Sequence, residues 1–259
     1  MIRFGCALQL RAQAGDHASL IYARCAVARQ HGLRIVRIPA MLATPLPRHA
    51  IPYLREYIAQ QQLRLVVHAP FAHIHQLIPD CGSWVALFEQ LACDDAVIIC
   101  HVPQLDTSTA SHFQRITPAI RRYLALEHTH QAPDVFGQFA AHVNIPPIFD
   151  WQHYHHIAPW PYAPDRTLCE WASRWGQRRP LWHMSSASEH GTPTRHGATV
   201  DSSVVVWLVR SMCAAGYACD IEIESHAGIA AYMRLRREIQ QKAPELAHYI
   251  HEGDTHART

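Results

Sequence analysis

Lysine, paired cysteines and long apolar segments are all scarce in this chain of 259 residues. Lys242 is the only lysine, so every other basic residue is an arginine, and the net charge is only +2. Arginine can grip phosphate with two hydrogen bonds, but exposed arginines usually just solvate a surface. The charge balance therefore neither requires nor excludes a nucleic-acid partner.

The cysteines and the apolar segments argue against further classes of protein. The eight cysteines are scattered without a Cys-x-x-Cys pair, which argues against a zinc ribbon or a disulfide framework. No stretch approaches the roughly 20 apolar residues of a membrane-spanning helix, and the N-terminus lacks the apolar core of a secretory signal. We expect a cytoplasmic protein without a membrane segment.

Histidine, by contrast, is abundant: the chain has 21, so a single histidine is weak evidence for a site. The segment Phe149–His156 (FDWQHYHH) nevertheless places a carboxylate and three imidazoles directly after an apolar run. A metal site, a proton-transfer site and chance each explain this segment taken alone. Only an ordered pattern that combines histidines with carboxylates can decide between them.

Short apolar runs alternate along the chain with longer segments of helical character. Eight β-then-α units in this length predict an α/β fold, a single-domain (β/α)8 TIM barrel over residues 1–250, with 251–259 as a frayed polar tail. The predicted strands are 2–8, 33–38, 63–68, 96–101, 123–127, 145–150, 180–184 and 219–224. The predicted helices lie near 17–31, 47–61, 83–93, 109–121, 134–143, 164–175, 200–215 and 226–241.

The connections support the same fold. The longest of them, 69–82, 151–163 and 185–199, follow strands, whereas the loops after helices are short. Loops after strands form the catalytic face of such a barrel. We therefore expect the functional residues at the strand ends.

Metal-competent side chains stand at or near the ends of six consecutive predicted strands. Because these ends converge on one ring, the pattern predicts one site, which scattered histidines would not reliably produce. Imidazole and carboxylate together suit zinc, manganese or iron, whereas oxygen ligands alone suit magnesium or calcium. The residues are His68, His101, Glu127, Asp150 with His153 just beyond it, His183 and Glu224.

Several of these residues also have a purely structural interpretation. His68 and His101 each follow a buried-looking strand and fit the role of core histidines equally well. Asp150 could cap the loop that follows it. Of Glu222 and Glu224, we expect one to face the lumen and the other the helices; the strand end favours Glu224 as the ligand, with Glu222 as an interior or salt-bridging group.

The order of these motifs resembles that of the UV-damage endonuclease family, within the xylose-isomerase-like barrels that include endonuclease IV. The resemblance runs from residue 2 to about residue 240. HGLRIVRIPA resembles the second strand of the family, VVHAPF the endonuclease IV version of the third, VIICH the fourth and LALEH the fifth. IPPIFDWQHYHH is similar to a Phe-Asp-x-x-His segment, RRPLWHMSSA to a His-x-Ser-Ser strand and HGATVD to a histidine-containing loop, and CDIEIE completes the set.

The resemblance implies a cluster of two or three divalent metal ions, with manganese favoured and zinc or iron as alternatives. The resemblance also implies four catalytic residues: Glu127, Asp150, His183 and Glu224. His68 and His101 are the implied ligands of one ion. Glu127 would bridge this ion to a second, which Asp150, His183 and Glu224 would hold. His153 with His196 (or His190) would hold a third.

Residues that are usual in the family are missing at three places, and one of them is the glutamine that probes damaged bases. The segment after strand 3 reads His68-Ala69-Pro70-Phe71-Ala72, without the usual glutamine. The lysine that often stands two residues before the strand-7 histidine is replaced by Leu181, and His128 and Thr129 follow Glu127 in place of Asn-Asp. The metal ligands are thus retained while the lesion-probing glutamine is not.

We therefore expect a metal-dependent hydrolase, a phosphodiesterase that resembles UV-damage endonucleases and has damaged duplex DNA as its partner. Its DNA groove would be lined by Arg11, Arg166, Arg178, Arg179 and Arg195. The alternative is an isomerase or an iron-dependent oxidative enzyme on the same barrel, acting on a small molecule or a peptide. A third interpretation is a binding protein with a vestigial site. The sequence leaves the oligomeric state open.

Overall fold

Eight parallel strands close into a barrel in chain order, and the last strand pairs with the first. The computed structural model describes residues 2–6, 8, 17–40, 46–70, 74–102, 104–157, 165–185 and 197–246. Every strand lies within its predicted range, so the predicted TIM barrel is confirmed. The strands are β1 (Arg3–Cys6), β2 (Ile35–Ile38), β3 (Arg64–His68), β4 (Val97–His101), β5 (Leu124–Glu127), β6 (Pro147–Asp150), β7 (Leu181–Met184) and β8 (Asp220–Ile223).

Helices follow each strand in the described part of the chain. They are α1 (His17–Gln30), α2 (Ala50–Gln60), α3 (Ile74–Gln90), α4 (Thr107–Gln114), α5 (Pro118–Arg121), α6 (Pro133–Val143), α7 (Trp151–Ile157), α8 (Asp165–Ser173), α9 (Ser202–Ala214) and α10 (Ile229–Lys242). A short 3-10 helix, Pro244–Leu246, ends the described chain.

The helices differ from the prediction at three places. Helix α3 begins at Ile74, nine residues before the predicted start at 83, so most of the predicted loop 69–82 is helical. The predicted helix 109–121 is two helices, because Pro118 holds Thr117 in an extended conformation and starts α5. The predicted loop 151–163 opens with α7, which was not predicted.

The strands divide their side chains between two cores, since successive residues of a strand point to opposite sides of the barrel wall. One set packs against the helices, as Leu65 and Val67 of β3 do. The other set fills the lumen in layers. The middle layer of the lumen is apolar and consists of Ile35, Val66, Val97, Ile99, Ala125, Ile148 and Leu181, together with Trp175.

Below the middle layer, at the N-terminal ends of the strands, lies a group of charged residues that we call the lower layer: Arg3, Arg64, Arg179 and Asp220. Arg3 donates to both carboxylate oxygens of Asp220, at 2.7 and 2.6 Å, and Arg64 Nη1 donates to Oδ2 at 2.7 Å. Arg64 and Asp220 are both fully buried. Burial raises the pKa of Asp220, but Arg64 and Arg3 lower it by more, so the carboxylate is held in its charged form.

Two of the arginines predicted to line a DNA groove belong to this end of the barrel. Arg179 Nη1 lies 3.5 Å from Asp220 Oδ1 in the lower layer. Arg178 donates to the carbonyl oxygens of Arg122 and Leu124, and its guanidinium stacks on Trp175 at 4.8 Å. The prediction that Arg178 and Arg179 lie at the strand-end face is therefore wrong, because buried partners hold both at the opposite end.

None of the described helices is long and apolar enough to cross a bilayer. All eight cysteines are free thiols, and six of them are buried. Burial raises the pKa of Cys25 to about 12, and that of Cys93 likewise. Such thiols remain protonated and unreactive at neutral pH.

Candidate metal centre

The upper layer of the lumen gathers the side chains that end the strands. Seven of the eight predicted ligands are described, and the structure brings all seven together; His196, and its alternative His190, lie outside the described residues. Five of the seven are the last residues of β3, β4, β5 and β6 and the third residue of β7, and Glu224 directly follows β8. The seventh, His153, lies in the first turn of α7.

Glu127 lies at the centre of this layer and is 1% exposed. Its Oε2 atom is 2.8 Å from His68 Nε2 and 3.1 Å from His101 Nε2. Its Oε1 atom is 3.2 Å from His183 Nδ1 and 4.0 Å from His153 Nε2. One carboxylate thus faces four imidazoles from four different elements.

Glu224 and Asp150 flank Glu127. Glu224 lies 3.8 Å from His68 Nε2 and 3.5 Å from His183 Nδ1. Asp150 is fully buried, and its Oδ1 accepts a hydrogen bond from the backbone N–H of His153 at 2.8 Å. The capping role considered for Asp150 is therefore real, since this bond fixes the first turn of α7, and it leaves Oδ2 for another partner.

The ligand atoms fall into two groups that share Glu127. His68, Glu127, His183 and Glu224 form one group, and Glu127, Asp150 and His153 form the other; within each, one ligand atom per residue lies within 4.8 Å of the others. Two ligands about 2.1 Å from a common ion lie about 3.0 to 3.4 Å apart. Two of the separations at Glu127, 3.1 Å to His101 Nε2 and 3.2 Å to His183 Nδ1, match that spacing.

The polar atoms of this layer fit cations better than they fit one another. Glu127 Oε2, Asp150 Oδ2 and His183 Nδ1 are buried and have no hydrogen bond of acceptable geometry to a described residue, although nitrogen atoms lie close to Glu127. A buried polar atom without a partner costs free energy, so such atoms call for a bound group. The mixed imidazole and carboxylate set suits a transition-metal ion.

The charges of the layer are also incomplete without cations. Four carboxylates, Glu127, Asp150, Glu222 and Glu224, face the lumen, and Arg37 forms ion pairs with two of them, Glu222 and Glu224. Burial raises the pKa of Asp150, and His153 offsets only part of that increase. Divalent cations would neutralise this excess of negative charge.

The histidines respond to the same charges in opposite directions. Burial lowers the pKa of His68 to about 4, so its ring is neutral at physiological pH. Burial also acts to lower the pKa of His183, but Glu127 and Glu222 raise it to about 9. Burial raises the pKa of Glu127, yet the His183, His101 and His68 rings bring it well below the ordinary value. Without a metal, His183 and Glu127 therefore form a charged pair.

Two residues at this site were missed or misplaced by the sequence reasoning. Arg37 donates from Nε to Glu222 Oε1 at 2.7 Å and from Nη2 to Glu224 Oε1. Glu222 and Glu224 both face the lumen, so the expectation that one would face the helices is wrong: residues two apart on a strand point the same way. Arg37 stands two residues after Ile35 in β2 and faces the lumen for the same reason.

His128 lies close to the upper layer but does not belong to it. His128 is buried among the rings of Phe136, Tyr154 and Trp171, and its Nε2 lies 2.7 Å from the carbonyl oxygen of Gln131. Burial lowers its pKa to about 4. His128 is thus a neutral core histidine, beside Glu127 in sequence but pointing to the opposite side of the wall.

Fold and site together define a (β/α)8 barrel with a candidate metal centre at its strand ends. No protein-family model matches the chain, and no curated protein matches it. Solved structures with the same fold do match over nearly the whole chain.

SacUVDE, a UV-damage endonuclease, has a TM-score of 0.72 at 14% identity, over 93% of this chain and 99% of its own. D-psicose 3-epimerase from Clostridium cellulolyticum H10, with D-tagatose, has a TM-score of 0.58 at 13% identity, over 96% of this chain and 99% of its own. A xylose isomerase domain protein from Planctomyces limnophilus has a TM-score of 0.58 at 15% identity, over 95% of this chain and 98% of its own. At these identities the similarity establishes the (β/α)8 barrel fold alone.

Proposed function

We propose that the upper layer binds two divalent metal ions and that the protein is a metal-dependent enzyme. The observation that carries the proposal is the position of Glu127, which belongs to both groups of ligand atoms. A carboxylate has two oxygens and can bridge two cations, whereas a site for a single ion has no need of a shared residue.

The two groups divide the ligands in a way that differs from the family resemblance. We assign His68, His183 and Glu224 to one ion and Asp150 and His153 to the other, with Glu127 shared. His101 Nε2 lies beside Glu127 Oε2 and completes the surroundings of the first ion. The proposed metals are manganese, zinc or iron, because hard cations such as magnesium prefer oxygen ligands alone.

The reaction that we propose is the hydrolysis of a phosphodiester, with damaged duplex DNA as the candidate substrate. Paired divalent ions supply Lewis acidity and a nucleophile at neutral pH, and they neutralise charge on phosphoryl oxygens. The TM-score to SacUVDE, 0.72 against 0.58 for the epimerase, supports this choice.

The side chains of the upper layer differ in how far they are buried, and we assign them different roles accordingly. Asp150 and His183 are fully buried and would hold ions without touching a substrate, and Asp150 also caps α7. His68, His153 and Arg37 are each about one-fifth exposed, at 19, 18 and 20%, and so face the opening of the lumen. A phosphate that enters the lumen would meet these three side chains, and Arg37 can donate hydrogen bonds to it.

A second candidate is an isomerase or epimerase of a small sugar-like molecule, or an iron-dependent oxidative enzyme. The position of Arg178 and Arg179 at the opposite end of the barrel favours it, because the predicted DNA groove loses two of its five arginines. Of the other three, Arg166 lies on α8 with a 92% exposed side chain, while Arg11 and Arg195 lie outside the described residues.

Metal analysis tests the centre itself. Protein purified without chelators should contain two equivalents of transition metal by mass spectrometry. Glu127→Gln should lose both ions, and Glu224→Gln and Asp150→Asn should each lose one. Glu245→Gln, which alters an exposed carboxylate paired with Arg210, is the control and should keep both. Wild-type protein with less than one ion per chain after loading would contradict the proposal.

Substrate assays then separate the candidates. The loaded protein should incise UV-irradiated or abasic duplex DNA with Mn²⁺, and Glu127→Gln should not. Conversion of D-tagatose or a related ketose without DNA incision would favour the epimerase, and bound iron with oxygen consumption would favour the oxidative enzyme.

A further inference from the structure

Glu222 occupies a place in the barrel where a carboxylate is unexpected. It is paired in register with His183 on β7 and with Gly5 on β1. Its side chain is only 1% exposed. Burying a charged group costs several kcal/mol unless partners compensate it. Both oxygens of Glu222 therefore need partners.

Each oxygen of Glu222 faces a different residue. Oε1 accepts the hydrogen bond from Arg37 Nε at 2.7 Å. Oε2 lies 3.4 Å from His183 Nε2, and neither of these two atoms makes a hydrogen bond of acceptable geometry to a described residue, each other included. Arg37 anchors one side of the carboxylate and so directs the other side at the His183 ring.

The His183 ring points its other nitrogen at the ligand group. Nδ1 lies 3.2 Å from Glu127 Oε1 and 3.5 Å from Glu224 Oε2, both members of the first group. A neutral imidazole carries one proton, so only one of its nitrogens has a lone pair for a metal. The hydrogen bond made by the second nitrogen decides which one that is.

We propose that Glu222 is a positioning residue of the metal centre, which accepts the Nε2 proton of His183 and so directs the Nδ1 lone pair at the ion. This inference rests on the proposed metal binding. Hydrogen bonds then connect Arg37 of β2 through Glu222 of β8 to His183 of β7. They would hold the His183 ring in one tautomer and one orientation toward the ion. A glutamine at position 222 could instead donate its amide to Nε2 and stabilise the tautomer that cannot bind through Nδ1.

Metal affinity and the tautomer of His183 test the proposal together. Zn²⁺ affinity, measured by competition with a chromophoric chelator, should fall about 10- to 100-fold in Glu222→Gln. Glu222→Asp, which keeps the carboxylate, should lose less, and Glu245→Gln should match the wild type. In the Zn²⁺-loaded wild type, ¹⁵N spectra of labelled histidine should show His183 protonated at Nε2 and bound through Nδ1, with the signal assigned from a His183→Gln sample.

The outcomes are distinguishable. Coordination of His183 through Nε2, or an affinity of Glu222→Gln within twofold of the wild type, would overturn the role of Glu222 while leaving the metal centre standing. Wild-type protein that binds neither Zn²⁺ nor Mn²⁺ would overturn the proposed function and this inference with it. The tautomer measurement needs no variant at position 222, so it decides the question even where Glu222→Gln does not fold.

Discussion

Glu127 and His183 show how single residues set the electrostatics of the upper layer. Both are buried, and burial alone would keep each of them neutral. Their mutual attraction at 3.2 Å overcomes burial, so without a metal the ring carries a proton on each of its two nitrogens and the carboxylate carries none. A divalent ion would take the place of that proton, because ligating histidine must be neutral.

The protonation of His183 makes the stability of the metal-free protein depend on pH. The pKa of His183 is about 9 in the folded protein, above its ordinary value of 6.5. The stabilisation is therefore complete below pH 6.5 and is lost as the pH rises to 9, by on the order of 3 kcal/mol. Urea unfolding in EDTA between pH 6 and 9 should show this decline.

The control is His183→Gln, which cannot take up the proton. Its free energy of unfolding should vary less over the same pH range, while the buried thiols titrate identically in both proteins. Parallel pH profiles for the wild type and His183→Gln would contradict the charged pair.

Single residues also mark the limit of what the sequence could predict about the site. Glu127 and Asp150 were recognisable because each ends an apolar run, where a charged residue needs a reason. Arg37 and Glu222 stand within strands, where a polar residue between apolar ones usually marks a solvent-facing side. Only closure of the barrel turns that side into a lumen, and closure depends on all eight strands.

At the scale of elements, the packing of α6 against α8 depends on one small residue. Gly137 of α6 lies under the indole of Trp171 of α8, and a Cβ there would be 2.7 Å from the Trp171 Nε1 atom. Trp171 in turn packs against the rings of His128 and Phe149. Because Phe149 precedes Asp150, this contact supports the wall that carries the metal centre.

Gly137→Ala should therefore destabilise the protein, although alanine favours helices. Overpacking a buried contact costs about 1 to 3 kcal/mol, which exceeds the helical gain of roughly 0.5 to 1 kcal/mol. Gly82→Ala in α3 is the matched control, since a Cβ there meets nothing within 4 Å, and it should stabilise by about the helical gain. Urea unfolding of both variants measures the difference; a stabilised Gly137→Ala would show that Trp171 has room to move.

The two helical segments that the sequence missed have different causes. Helix α3 contains Pro79 and Gly82, both unfavourable inside helices, so local propensity pointed to a loop. Helix α7 follows β6 with no intervening residue, and its first turn is held by the Asp150 side chain. This cap is a local signal that the sequence does contain, but we interpreted it as the cap of a loop.

At the scale of the whole molecule, the lower layer joins distant parts of the chain. Asp220 of β8 bonds to Arg3 of β1 and Arg64 of β3, so one carboxylate connects three strands across the lumen. The predicted barrel was recoverable because eight apolar runs alternate with eight helical segments. This ion cluster was not, because its members lie at strand starts, where charged residues usually mark only the approach to a strand.

Asp220→Asn should be strongly destabilising. It leaves Arg64, which is fully buried, without a compensating charge, a change that costs about 3 to 5 kcal/mol. Glu89→Gln removes a carboxylate from an ion pair with Arg122 in which both side chains are about half exposed, and it should cost less than 1 kcal/mol. Thermal unfolding compares the two, and equal losses would indicate that the lower layer adds little to stability.

The apolar middle layer also determines from which end of the barrel Glu127 can be reached. Seven aliphatic side chains and an indole block the barrel axis between the two charged layers. The axis is therefore closed from below, and in the described part of the chain the upper layer is open to solvent at His68, His153 and Arg37. A ligand bound at this opening would block the entry of a second ligand.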